Sequence, residues 1–415
     1  MGEIVLRTED NWIKNIVLFL GSQTLSLFGS QLVQYAIFWY ITLTTQSGVM
    51  LTISILCGFV PTFFLSPFAG VWADRFHRKL IIGLSDALVA LATLILALLF
   101  WLGYGSLWLL FVISAIRAMG GAVQMPAVGA MLPQLVPVDH LTRVNAIYGT
   151  IQSFVMLVSP VASAALLSMA PLEVIFFVDV VTAALAVAIL FLFVHVPVHA
   201  KALQRSAAGY LDDLKKGLRY IWEREYARKY FLFFAVFLVM SAPAAFLTPL
   251  QVARSFGDDI WRLTAIEIAF STGMIVGGGL LTLWGGFRNK VHTMTLSCVL
   301  LGVCTFCLGV VPNFWIYLLF MWLTGVALPF FNTPSTVLLQ ENVEEDFLGR
   351  VFGIYAMLSS SMMPIGMLVF GPLADVVKIE WMLIGTGLFV AVQAFFLLNS
   401  KALLEAGKPK SHQRA

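Results

Sequence analysis

Charge is what this sequence lacks. Only 11% of its 415 residues are Asp, Glu, Lys or Arg, against about a quarter in an ordinary soluble domain. From Asn15 to Ala73, 59 positions, there is not one. That scarcity excludes a water-soluble globular protein. Cysteine is also scarce: Cys57, Cys298, Cys304 and Cys307, all inside apolar runs. Cys304 and Cys307 form a C-x-x-C without a neighbouring His or Cys pair, which reads as small apolar filler and not as a metal or redox centre. No secretory leader is expected, since Met1–Trp12 is polar and the first apolar run is too long for a signal core. An ATP-driven pump would need G-x-x-x-x-G-K-[ST]. The only Gly-Lys pair is Gly407-Lys408, followed by Pro409. No paired catalytic carboxylates or nucleophile–base set share one layer, which speaks against an enzyme. The net charge of +3 is too small to suggest nucleic acid.

What is there is apolar surface, 60% of the residues. A backbone in lipid must satisfy its own N–H and C=O groups, so spans are helices or a closed barrel. Barrel strands alternate polar and apolar positions, whereas Leu88–Leu102 is apolar at every position but Thr93. Helices of about 20 apolar residues follow. The sequence predicts an all-α membrane protein with twelve of them: 16–43, 49–72, 80–102, 106–128, 144–168, 172–195, 230–253, 263–286, 291–311, 313–337, 349–371 and 379–399.

Lys and Arg in short connections set orientation. With Met1 in the cytoplasm, 21 of the 25 fall on the cytoplasmic side and three, Arg254, Arg262 and Lys378, outside. Arg117 remains in the membrane. Both termini are therefore expected in the cytoplasm. The segment 196–229 divides a half at 1–195 from a half at 230–400, and 401–415 is a tail. Within it, "GYLDDLKKGLRYIWER" has Leu211, Leu214, Leu218, Ile221 and Trp222 at helical spacing, with Asp212, Lys215, Lys216 and Arg219 on other faces. This reads as an interfacial helix on anionic headgroups; a partner-binding helix is the alternative.

The halves echo each other. "LTRVNAIY" at 141–148 matches "LGRVFGIY" at 348–355, and "QMP" at 124–126 parallels "NTP" at 332–334. Two parallel repeats about an axis normal to the membrane form a transporter architecture.

"GVWADRFHRK" at 70–79 resembles the G-x-x-x-D-R-x-G-R-[RK] loop of the major facilitator superfamily, with Gly70, Asp74, Arg75, Arg78 and Lys79 in place and His77 at the middle glycine. "RAMGG" at 117–121 is similar to that family's R-x-x-x-G. Segments such as "NWIKN", "SPVASAAL" and "MPIGMLVFGPLAD" resemble the macrolide-efflux branch of its drug–proton antiporters. The antiporter motif G-P-x-x-G-G stands here as Ser159-Pro160-Val161-Ala162-Ser163-Ala164. The resemblance implies the major facilitator fold, with twelve helices in two six-helix halves. It implies proton-driven export of lipophilic, macrolide-like compounds from the cytoplasmic membrane. An exporter of siderophores, lipids or metabolites, or a proton-coupled uptake symporter, shares the architecture. It further implies a latch of Gly70, Asp74, Arg75, Arg78 and Lys79 against the start of the eleventh span near Gly349 and Arg350. Arg75, Arg78 and Lys79 would also touch lipid headgroups. No cofactor or metal beyond a proton gradient, no nucleic acid and a monomer in contact with membrane lipids are expected.

Charges inside a bilayer cost about 2.5–3.5 kcal/mol on insertion scales, so each is a candidate functional group. Four stand out for proton coupling: Asp86, Arg117, Asp179 and Glu267. Asp86 lies about 9 Å from the cytoplasmic end of its span and Arg117 about 7 Å higher, at 1.5 Å per residue. An arginine side chain nearly bridges that gap, which puts an Asp86–Arg117 pair within reach. Asp179 and Glu267 lie nearer the outer surface, where a residue is either wet or buried. Gln23, Leu27, Ser30 and Gln34 share a helix face. In the resembling family spans 1, 4, 7 and 10 line the cavity, so Gln23, Gln34, Trp39, Gln124, Met240, Phe246, Phe330 and Asn332 are expected around an apolar substrate.

Overall fold

A computed structural model describes residues 2–195 and 208–409. The chain forms helices α1 (Gly2–Thr45), α2 (Gly48–Arg75), α3 (Arg78–Trp101), α4 (Leu107–Leu135), α5 (Val138–Met169), α6 (Leu172–Phe193), α7 (Ala208–Glu223) and α8 (Glu225–Phe246). It continues with α9 (Thr248–Ser255), α10 (Ile260–Trp284), α11 (Lys290–Val310), α12 (Phe314–Ala327), α13 (Pro329–Asn342), α14 (Glu345–Leu373), α15 (Ile379–Asn399) and α16 (Lys401–Ala406). Among the described residues, twelve spans are long and apolar enough to cross a bilayer. Two are built from two helices each: α8 with α9, and α12 with α13. Both breaks carry a proline in the first turn of the second helix, Pro249 and Pro329, where a missing N–H does least harm. The helices run further than apolar length alone suggests. α4 ends at Leu135 and not near 128, because Pro137 is the first residue that stops it; α5 then starts at Val138. Elsewhere local chemistry sets the ends. Asn289 and Asn313 accept from backbone N–H groups of α11 and α12, and Gly285 closes α10 at φ 75°.

The chain groups into two compact units: Met1–Ile41 with Ile53–Gly209, and Thr42–Thr52 with Tyr210–Ala415. The turn between α1 and α2 therefore groups with the second unit, although the helices it joins group with the first. In the first unit the third span, α3, packs on the sixth, α6; in the second the ninth, α11, packs on the twelfth, α15. The repeat seen in the sequence thus recurs in helix pairing. In the second unit α10 lies close against α12. A Cβ on Gly273 or Gly277 would strike the carbonyl of Trp322 or Val326, and one on Gly325 the carbonyl of Phe270. Small residues that let backbones meet replace the missing hydrophobic drive between helices in lipid.

α7 lies differently from the sequence reading. Its Tyr220 and Ile221 are buried and Gly217 abuts Arg350 and Ile354 of α14. The Tyr220 ring stacks on Phe347 at 4.7 Å, its hydroxyl accepts from the Glu344 N–H at 3.3 Å, and Arg224 pairs with Glu344. Leu218 and Trp222 stay exposed. The helix is docked on the start of α14 by an aromatic face and leaves only part of its apolar stripe for lipid. Leu211 and Asp212 lie outside the residues whose side chains are described.

Candidate functional site

The first unit holds a half-open cavity of about 680 Å³ lined by α1–α5. Gln23, Ser26, Ser30 and Gln34 form its wall on α1, with Gln124 on α4 and Gln152 on α5. Of the eight residues expected around substrate, Gln23, Gln34 and Gln124 line it. Trp39 does not: its ring is fully buried. Met240, Phe246, Phe330 and Asn332 belong to the second unit. There Phe330 is buried against Trp284 at 6.0 Å, Met240 packs on the core, Phe246 is half-buried and Asn332 is exposed.

Two polar networks meet the cavity. Asp86, on α3 and 6% exposed, accepts from Ser26 Oγ at 2.7 Å and Gln124 Nε2 at 2.9 Å. Both donors are neutral, and no Lys or Arg pairs with it among the described residues. Arg117, on α4, donates Nη1 to Asp179 of α6 and to Thr93 Oγ1 at 2.8 Å, and Nη2 to the Ser30 carbonyl at 3.1 Å. The arginine's partner is thus Asp179, not Asp86. Asp179 is buried, at 2% exposure, and not wet. Gly29 makes the meeting possible. A Cβ there would come within 2.8 Å of Asp179 Oδ1 and collide with Thr182, so only glycine lets α6 approach α1 so closely. Arg117 and Asp179 pair with each other, and Asp86 has no cationic partner among the described residues.

Glu267 is half-buried on α10, with no hydrogen bond or ion pair among the described residues. It stands in the other unit from Asp86. Ser26, Thr93 and Gln152 are among the members that sequence reading missed. Ser26 was the detectable one, since it sits one turn from both Gln23 and Ser30.

The loop at 70–79 is only partly described: Gly70 and the side chains of Asp74 and Arg75 lie outside the described residues. Arg78 and Lys79 are described and serve the protein itself. Arg78 donates to the carbonyls of Ala73 at 3.0 Å and Ala130 at 2.6 Å; Lys79 donates to those of Phe191 at 3.2 Å and Val194 at 2.8 Å. Cations thus hold the C-terminal carbonyls of α2 and α6 and one near the end of α4, where helix dipoles are negative. These two side chains were expected at headgroups and are taken up by helix ends. In the second unit Arg350 donates to the Asp346 carbonyl at 3.3 Å and lies over Phe347.

Comparison with known proteins places these features. Macrolide efflux protein A of Streptococcus pyogenes is 28% identical over 386 residues, covering 92% of this chain and 95% of that protein. Multidrug efflux pump Tap of Mycobacterium bovis is 22% identical over 367 residues, covering 83% and 84%. Among solved structures, a bacterial homologue of the human lysosomal transporter Spinster, inward-facing and unoccupied, superposes with a TM-score of 0.71 at 14% identity, covering 95% and 98%. The pattern of the Major Facilitator Superfamily matches residues 19–367. With twelve spans among the described residues, a doubled helix pairing and an apolar cavity edged with amides, this chain belongs to the Major Facilitator Superfamily of transporters.

Proposed function

We propose that this transporter exports lipophilic, macrolide-like compounds across the cytoplasmic membrane in exchange for protons, with both termini in the cytoplasm. The observation that supports proton exchange is the charge balance of the first unit's cavity. Arg117 and Asp179 neutralise each other, while Asp86 is held by Ser26 and Gln124 alone. A buried carboxylate without a counter-ion depends on its neutral donors and on access to water. A change in either as access alternates loads or releases a proton. The macrolide-efflux relative supports the substrate class, and an apolar cavity edged with amides suits a bulky amphiphile better than a sugar or an inorganic ion. The bilayer potential adds about 2.3 kcal/mol per charge per 100 mV to such an exchange.

Flux of a radiolabelled macrolide in reconstituted vesicles, with and without a pH gradient, tests this. The parent should concentrate the compound only with the gradient. Asp86→Asn should abolish uphill movement and retain downhill exchange. If Asp86→Asn concentrates the compound like the parent, Asp86 is structural and the coupling assignment fails.

A further inference from the structure

One pattern, G-x-x-A-D, occurs at the close of two spans. Gly70-Val71-Trp72-Ala73-Asp74 closes α2, and Gly371-Pro372-Leu373-Ala374-Asp375 closes α14. The second copy grips the turn that opens α2. Asp375 accepts from the N–H of Gly48 at 2.7 Å, the N–H of Val49 at 3.0 Å and the Ser47 hydroxyl at 2.7 Å. Arg254, in the last turn of α9, donates to Asp375 Oδ1 at 2.9 Å, to the Ala374 carbonyl at 2.6 Å and, through Nε at 3.1 Å, to the Gln46 carbonyl. Gly371 and Gly48 meet backbone to backbone: a Cβ on Gly371 would lie 2.8 Å from the Gly48 carbonyl oxygen. Thr52 Oγ1 completes the contact by donating to the Met367 carbonyl at 3.1 Å. Gln46, at φ 44°, is the only non-glycine residue with positive φ among the described residues. Such a conformation is held only where surroundings over-determine it.

A helix start has orphan N–H groups and a partial positive charge. A local Ser, Asn or Asp normally satisfies them, and Ser47 stands ready for that role. Here the principal acceptor is instead a carboxylate 327 residues away in sequence. That carboxylate and its arginine are each more than a quarter exposed, so water can replace either partner when the contact parts. The segment held, Thr42–Thr52, runs on into two helices that group elsewhere.

We propose that Asp375 and Arg254 form a latch on the α1–α2 turn that closes in one half of the transport cycle and opens in the other. It stands at the opposite end of α2 from the 70–79 loop. The inference rests on the alternating-access transport proposed above, and with the proposed orientation the latch lies outside the cell. Gly371-to-Asp375 would then act on the start of α2 as the resemblance implies that Gly70-to-Asp74 acts on the start of α14.

The test begins with the four native cysteines replaced by alanine and with Ser47→Cys and Asp375→Cys introduced. Bridging the pair with a short bifunctional methanethiosulfonate should stop macrolide flux, and a reductant should restore it. Unchanged flux in the bridged protein would show that the turn never leaves position 375 and would overturn the latch. Flux by the unsubstituted parent reports separately on the transport reading. A second measurement serves if the double variant does not transport. Spin labels at the exposed Thr44 and Val376 report the latch distance directly. Asp375→Asn and Arg254→Gln should each shift the short-to-long distance ratio by about fivefold or more, the scale of a charged cap. Distributions identical to the parent in both variants would overturn it too.

Discussion

Asp179→Asn isolates the Arg117–Asp179 pair. The substitution keeps volume beside Gly29, where little room exists, and removes only charge. Arg117 would retain Thr93 and the Ser30 carbonyl, both neutral, in a site where it is 8% exposed. Breaking one side of a buried ion pair costs about 3–5 kcal/mol, whereas replacing both sides with apolar residues is often neutral. At about 2–4 °C per kcal/mol for a domain of 150–250 residues, the first unit should melt roughly 6–20 °C lower in Asp179→Asn. Arg117→Leu combined with Asp179→Leu should melt nearer the parent than either single variant. The assay is an apparent melting temperature in detergent at one fixed heating rate, read as a double-mutant cycle. A single variant within about 2 °C of the parent, or a double variant that falls by the sum of the singles, would refute the pairing argument.

Other expectations follow from the same geometry. Gly277→Leu should destabilise the second unit by about 1–3 kcal/mol or more, since the added side chain meets the Val326 backbone; a parent-like melting temperature would contradict the close α10–α12 packing. Burial works against the charge of Asp375, but the N–H groups of Gly48 and Val49, the Ser47 hydroxyl and Arg254 outweigh it and hold the carboxyl below its usual range. A depressed carboxyl stabilises its contact above its free value and loses it as pH falls through the lowered one. The Thr44–Val376 distances should therefore match at about pH 7.5 and pH 5.5, and loss of the short population at the lower pH would disprove it. Cysteines at Ser206 and Ser411, in a cysteine-free background, should resist an impermeant reagent in intact cells; labelling of both would reverse the orientation.

The spans were legible because lipid leaves one option for a long apolar run. Directions were not. Counting residues sets Asp86 and Arg117 at neighbouring depths, but which way Arg117 points depends on how α6 approaches α1, and only Gly29 hinted at that. Trp39 was misplaced because it lies five residues past Gln34, which turns it about 140° off the amide face at 100° per residue. In α7 the aromatic Tyr220 was overlooked among charged neighbours, yet it is the residue that docks the helix. The grip on α2 escaped notice because Asp375 reads as an ordinary loop residue until Gly48 is seen beside it.

The close meeting of α10 and α12 has a mechanical consequence. Gly273, Gly277 and Gly325 set backbone against backbone, with no long side chains between them to act as springs. Such a seam cannot slide by fractions of a turn, because each glycine seats one carbonyl, and so the two helices travel as a single plank. Bending must then concentrate where the seam ends. α12 gives way to α13 at Leu328, two residues beyond the last seated carbonyl, that of Val326. The α10–α12 pair is thus a stiff board with one joint, and strain arriving at the board is delivered to that joint instead of being absorbed along its length.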